Sequence, residues 1–176
     1  TLHNTREPVT GQSIHIFARI IAAADMYDRL VNPAADPAAN AEEHPSVPPV
    51  RALNTLLSEP HRSRIDPVVL RALLSVCPAF PPGSIVTLSN GMRAVVADWS
   101  SLNPCRPMVQ ELTHFEDEQE VESIDLREYP ELSIIEFEGA DVRGDIFAPK
   151  FPNEFDLMHI EKLMTNAAYE GEPMDE

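Results

Sequence analysis

The chain contains 176 residues, enough for one domain or for two small domains that share a core. It carries 29 acidic and 13 basic residues, which gives a formal net charge of −16. Residues 1–106 hold nine acids and nine bases, whereas residues 107–176 hold twenty acids and four bases. Because a field of this sign repels phosphate groups, the C-terminal part argues against nucleic acid and anionic lipid as partners.

Several other classes of protein are disfavoured by the same sequence. The longest uninterrupted apolar stretch, residues 20–24, has five residues, whereas a membrane span needs about 20, so we expect no membrane insertion. The two cysteines, Cys77 and Cys105, form no CxxC pair and predict neither a disulfide framework nor a thiolate zinc site. No signal-peptide pattern opens the chain, and we expect a soluble, cytoplasmic protein. The start at Thr1, in a polar stretch, suggests a fragment or a processed product.

The first predicted helix covers residues 13–31, with Ser13 as its N-cap. Apolar residues recur at three- and four-residue spacing and predict one broad face that packs in a helical core. Arg19, Asp25 and Asp28 lie off that face or on its border. The members of the face are Ile16, Phe17, Ile20, Ile21, Ala24, Tyr27, Leu30 and Val31.

Residues 32–49 contain five of the 17 prolines and predict an extended connector, because proline removes amide donors and disfavours helix in the residue before it. A short helix is predicted over 50–57. A third helix begins after Asp66, which is placed to cap it, has Pro67 at its first position and ends before Pro78.

The hydrophobic period then changes to that of strands. Residues 84–89 and 92–99 flank Asn90-Gly91, the strongest short hairpin signal, and predict a two-residue type I′ turn with Ser89 opposite Met92. Weaker strand patterns cover 108–115, 122–126 and 132–137. The predicted class is therefore α+β, with a helical part over 1–80, a small antiparallel β subdomain over 81–145 and an acidic segment over 146–176 that contains a helix at 155–166.

Two ordered sequence features resemble the HD-GYP family, the cyclic di-GMP phosphodiesterases of the HD metal-dependent phosphohydrolase superfamily. Residues 14–28 (IHIFARIIAAADMYD) are similar to the family helix that reads I…ARI…AD.YD. Residues 80–96 (FPPGSIVTLSNGMRAVV) are similar to its C-terminal hairpin, P.G..V.LS.G..A.V, and Arg106-Pro107 follows in register. The resemblance covers residues 10–135 and implies the last helices of an HD-type all-α bundle followed by a small β subdomain.

The resemblance also implies which parts of a catalytic site this chain lacks. The HD doublet, the upstream histidine ligands and the GYP signature would lie N-terminal to it, and only the last metal ligand of the family maps onto the chain, at Asp25. The family implies iron or manganese and hydrolysis of cyclic di-GMP for an intact protein. With one carboxylate we expect no metal and no activity in this chain alone. In the isolated chain, Asp25 and Asp28 are better interpreted as residues of a solvated or salt-bridged helix face, and the ligand interpretation of Asp25 is favoured only within a longer protein.

A second hypothesis belongs to a different functional class. After Asp28 the family reads Ala-Leu-Thr/Ser and then Arg-Pro-Tyr, whereas this chain has Arg29-Leu-Val-Asn32 and the proline-rich connector. This departure favours a diverged homologue that acts as a non-catalytic regulatory or interaction module and binds a protein partner or a second copy of itself.

Overall fold

The computed structural model describes residues 13–33, 47–112 and 123–149. Within these ranges the fold combines three α-helices with a six-stranded antiparallel sheet, which confirms the α+β class. The helices are α1 (Ile16–Val31), α2 (Pro49–Leu57) and α3 (Pro67–Val76). The strands are β1 (Ile85–Leu88), β2 (Arg93–Asp98), β3 (Met108–Glu111), β4 (Ser123–Asp125), β5 (Ile134–Phe137) and β6 (Ala140–Asp141), in the spatial order β4-β3-β2-β1-β5-β6.

Helix α3 begins as its sequence predicts. The Asp66 carboxylate accepts hydrogen bonds from the backbone N–H groups of Val68, at 2.9 Å, and Val69, at 3.3 Å. Pro67 occupies the first helical position, where its missing N–H costs nothing. Helix α2 also begins with a proline, Pro49, one residue earlier than predicted.

Helix α1 differs from its prediction in two respects. Its N-cap is His15, whose Nδ1 accepts from the Phe17 N–H at 3.3 Å, and the predicted cap Ser13 is wrong because the helix begins only at Ile16. The predicted burial of one broad apolar face is also wrong: Ala23 is the buried residue of α1, and several of its large apolar side chains are exposed. Periodicity shows which side of a helix is apolar, but it does not show where the helix finds a packing partner.

The two ends of the proline-rich connector lie close together. The backbone N–H of Val47, just before α2, donates to the carbonyl of Val31 at the end of α1, at 3.1 Å. Residues 34–46, which make up most of the predicted connector, lie outside the described ranges.

The hairpin of β1 and β2 forms where it was predicted, but its register differs by one residue. Ile85 pairs with Val95 and Val86 with Ala94, so the loop contains three residues, Ser89 to Gly91, rather than two. The predicted register would set Leu88 opposite Arg93 and carry a charged side chain to the buried face of the sheet. The observed register instead places Val86, Leu88, Ala94 and Val96 on that buried face.

The remaining strands follow the predicted order. Strands β3, β4 and β5 lie within the predicted segments, although β3 ends at Glu111, and residues 113–122 lie outside the described ranges. The pattern did not reveal β6, a two-residue strand that follows a tight turn in which Glu138 and Gly139 have positive φ. The predicted helix at 155–166 also lies outside the described residues.

Helices and sheet share a hydrophobic core rather than burying separate ones. Leu53 and Leu74 from the helices belong to the same buried cluster as Val96 and Val109 from the sheet. Arg51 of α2 adds a polar link, because its guanidinium donates to the Asp145 carboxylate at 2.9 Å and to the Asp141 carbonyl at 2.7 Å. The helical part and the β subdomain are therefore packed as a unit.

Arg106 holds the chain segment between β4 and β5 in place through hydrogen bonds. The Arg106 guanidinium donates to four backbone carbonyls of this segment at 2.8–3.3 Å, and these belong to Leu126, Tyr129, Pro130 and Leu132. A planar guanidinium group with five donors in a fixed geometry can bind several carbonyls at once, which an ammonium group does less well.

Candidate functional site

Asp25, the metal ligand that the family resemblance implies, lies in the second half of α1 with a half-exposed side chain (54%). Its carboxylate accepts from Nε of Arg29, one turn along the same helix, at 3.0–3.1 Å. On the next turn, the Asp28 carboxylate accepts from the side-chain amide of Asn32 at 2.9 Å. Exposed pairs of this kind contribute at most about 0.5 kcal/mol to stability, so neither aspartate is needed to hold the fold together.

The large apolar side chains in the first half of α1 face away from the core. We call them the outer stripe: Ile16 (39% exposed), Phe17 (66%), Ile20 (47%) and Ile21 (66%). The adjoining side of α1 packs on the cluster through the small Ala23 and the partly buried Met26, Tyr27 and Leu30. Burial and the neighbouring Cys77 thiol raise the pKa of Tyr27 to about 12, so the phenol stays neutral there.

The two aspartates border the outer stripe. With about 100° between successive residues of an α-helix, Asp28 lies about 20° inside the edge of the stripe at Ile21 and Asp25 about 40° outside it, and both lie nearer the C-terminal end of α1 than Ile21 does. The opposite border of the stripe adjoins the packed side of α1. A partner that covers the stripe therefore brings its own side chains close to Asp25 and Asp28.

A cleft of about 390 Å³ opens between α1 and the start of α3. Small residues of α1, Ala18 and Ala22, form part of its wall, and Arg19, Arg64 and Asp66 supply its charged groups. Arg19 donates to the Asp66 carboxylate, while its buried Nε has no hydrogen-bond partner in the described part of the chain. This volume is in the range of small-molecule pockets, but the Arg19–Asp66 pair already neutralises much of its charge.

Sequence reasoning identified Asp66 only as a helix cap and placed Arg19 off the apolar face. Their pairing across 47 residues leaves no periodic signal in the sequence. The sequence did single out Asp25, but it did not reveal that the apolar residues beside it are exposed in the described part of the chain.

The described residues do not form a metal centre. Among them, no group of three or more His, Cys, Asp or Glu side chains is close enough to hold an ion. What α1 offers is two carboxylates, Asp25 and Asp28, beside apolar side chains that are exposed in the described part of the chain.

Within 13–33, 47–112 and 123–149, no helix combines the length and the apolar character needed to cross a bilayer. Comparison of the chain with family models, with curated proteins and with solved structures finds no match.

Proposed function

We propose that the chain is the C-terminal portion of an HD-GYP-like metal-dependent phosphohydrolase that hydrolyses cyclic di-GMP. The observation that carries this proposal is the position of Asp25, an exposed carboxylate that borders the uncovered outer stripe of α1. The ordered series of family-like motifs supports it, from the helix at 14–28 to the hairpin at 80–96. The chain is the last part of an HD-type bundle, and its β subdomain packs against the helices.

The residues that the structure describes do not by themselves provide enough ligands for an iron or manganese centre. Such ions take several nitrogen and oxygen ligands, and Asp25 supplies a single carboxylate that is paired with Arg29. In this proposal, histidines and an HD pair on helices N-terminal to Thr1 supply the other ligands. The metal centre would activate water towards a phosphodiester.

The first test is to translate the coding sequence upstream of Thr1. A His…His-Asp series and a GYP signature are expected there, and their absence contradicts the proposal. If they are present, the longer protein should hydrolyse cyclic di-GMP when it is supplied with iron or manganese, and Asp25→Ala should remove the metal and abolish hydrolysis.

The matched control for that variant is Asp28→Ala. Asp28 is also an exposed aspartate of α1 with a partner within its own helix region, so the two substitutions should have similar effects on folding. We expect Asp28→Ala to retain metal and most activity. Full activity and unchanged metal content in the Asp25→Ala protein would refute the assignment of Asp25 as a ligand. In the 176-residue chain, Asp25→Ala should change stability by less than about 0.5 kcal/mol.

The outer stripe also favours a second candidate function. A non-catalytic regulatory module of a diverged homologue would use the same exposed side chains to bind a protein partner or a second copy of the chain. The upstream sequence separates the two candidates, since a module of this kind needs neither the HD doublet nor the GYP signature.

A further inference from the structure

We infer that the outer stripe of α1 is a docking surface for one amphipathic helix that carries basic residues along one flank. The inference concerns the 176-residue chain by itself and rests on the geometry and charge of α1, not on the metal ligands of the proposed function. It therefore goes beyond the proposed function, and its test requires neither metal nor cyclic di-GMP.

The size of the stripe matches one helix. Given roughly 200 Å² for a phenylalanine side chain and somewhat less for isoleucine, the exposed parts of the four side chains amount to about 400 Å². A stable dimer interface needs about 800 Å² on each partner, so a contact confined to this stripe is weak for any occupant, and a second copy would in addition bring its own net charge of −16 towards the two aspartates. The stripe occupies a sector of about 140° on a single helix, and a second helix packs into such a sector at an interaxial distance of about 8–10 Å.

The charge around the stripe determines which flank of the partner is basic. Asp25 and Asp28 lie along one border, and Arg29, which pairs with Asp25, leaves one net negative charge there. Both aspartates lie in the last two turns of α1, where the negative end of the helix dipole adds to that charge. The other border adjoins the packed side of α1. A docked helix should therefore place lysine or arginine above the two aspartates.

The probe is a synthetic amidated 18-residue peptide with leucine at positions i, i+3, i+4 and i+7 and lysine along one flank. Titration calorimetry with the 176-residue chain should show saturable binding of this peptide. A matched peptide with glutamate in place of lysine should bind at least 5-fold more weakly. The difference in affinity between the lysine peptide and the glutamate peptide should be smaller for the Asp25→Asn/Asp28→Asn double variant than for the parent chain.

The test variant is Phe17→Gln/Ile21→Gln, which removes apolar surface without adding charge. It should weaken binding of the lysine peptide at least 10-fold. The matched control is Val76→Gln on α3, because Val76 is as exposed (69%) as the two stripe residues but lies on another helix. This control should bind like the parent chain. Circular dichroism should verify that both variants remain folded, and Phe17→Ser alone replaces the double variant if it does not fold.

Several outcomes would overturn the inference. These are failure of the lysine peptide to bind, binding that is unchanged in the Phe17→Gln/Ile21→Gln variant, and equal affinity for the two peptides. Self-association in sedimentation velocity that the double variant abolishes would make a second copy the occupant instead. Binding to phosphatidylcholine vesicles that the same variant abolishes would make the occupant a membrane.

Discussion

The Arg19 guanidinium on α1 donates to the carboxylate of Asp66, and the same carboxylate caps the first turn of α3. Both side chains are largely buried, with 22% of Arg19 and 13% of Asp66 exposed. One acidic residue therefore accepts from two of the free N–H groups of one helix and pairs with an arginine of another helix beside it. Within the described residues, this contact adds to the packing of α1 through Ala23, Met26, Tyr27 and Leu30.

We predict that Asp66→Ala destabilises the chain by about 1–3 kcal/mol, because it removes both the cap and the partner of a largely buried guanidinium. Asp66→Asn should cost less, since its side-chain oxygen still caps α3 while the ion pair is lost. Urea denaturation of the two variants and the parent chain measures the difference. Equal losses would show that the cap contributes little.

The same residue makes stability depend on pH. Burial alone would raise the pKa of Asp66, but the Val69 and Val68 amides and Arg19 outweigh it and hold the pKa below its usual value. Because the folded pKa is lower than the unfolded pKa of about 3.9, the contribution is present above pH 4 and is lost as the pH falls towards the folded pKa. The stability difference between the parent chain and Asp66→Asn should therefore shrink between pH 5 and pH 3. A constant difference in denaturation experiments would contradict this assignment.

Arg106 should be difficult to replace even by lysine. A lysine ammonium cannot satisfy four carbonyls that lie around a planar fork, and carbonyls left without a partner in a partly buried turn cost free energy. We expect Arg106→Lys to lower the free energy of unfolding by about 1–3 kcal/mol. The exposed Arg93 provides the control, and Arg93→Lys should be nearly neutral. Equal effects of the two substitutions would show that the carbonyl contacts contribute little.

Gly91, the last residue of the three-residue loop, has a backbone conformation that residues with a side chain rarely adopt. Gly91 has a φ of +85°, and a Cβ placed there would meet no atom within 4 Å, so the cost of substitution is conformational rather than steric. Gly91→Val should destabilise the chain by about 1–3 kcal/mol, and Gly91→Asn should cost less because asparagine tolerates this region.

The matched control is Gly144→Ala, at a glycine with equally open surroundings and no positive φ. It should be neutral or slightly stabilising. Thermal unfolding of the three variants provides the comparison, and an unchanged midpoint for Gly91→Val would mean that the backbone at this position is not held in the left-handed region.

Local signals explain how much of the fold could be predicted from the sequence. The cap and proline at Asp66-Pro67 act within one turn, so the start of α3 was predicted correctly. Asn90-Gly91 marked the hairpin but fits more than one loop length. The register was decided by the need to keep Arg93 away from the buried face, which is a property of the whole sheet. The location of Asp25 on the first helix could be predicted, but the exposure of the stripe within the described residues could not, since periodicity does not show what packs against a helix.

The hydrogen bond from Val47 to Val31 has a consequence for the length of the segment between them. Because it holds the two ends of that segment together, α1 and α2 keep their relative position without relying on the number of intervening residues. The entropy of closing a loop grows only with the logarithm of its length, so doubling this segment would cost about 0.6 kcal/mol. We therefore expect a peptide inserted between Pro33 and Val47 to change the free energy of unfolding by about that amount and to leave α1 and α2 where they are.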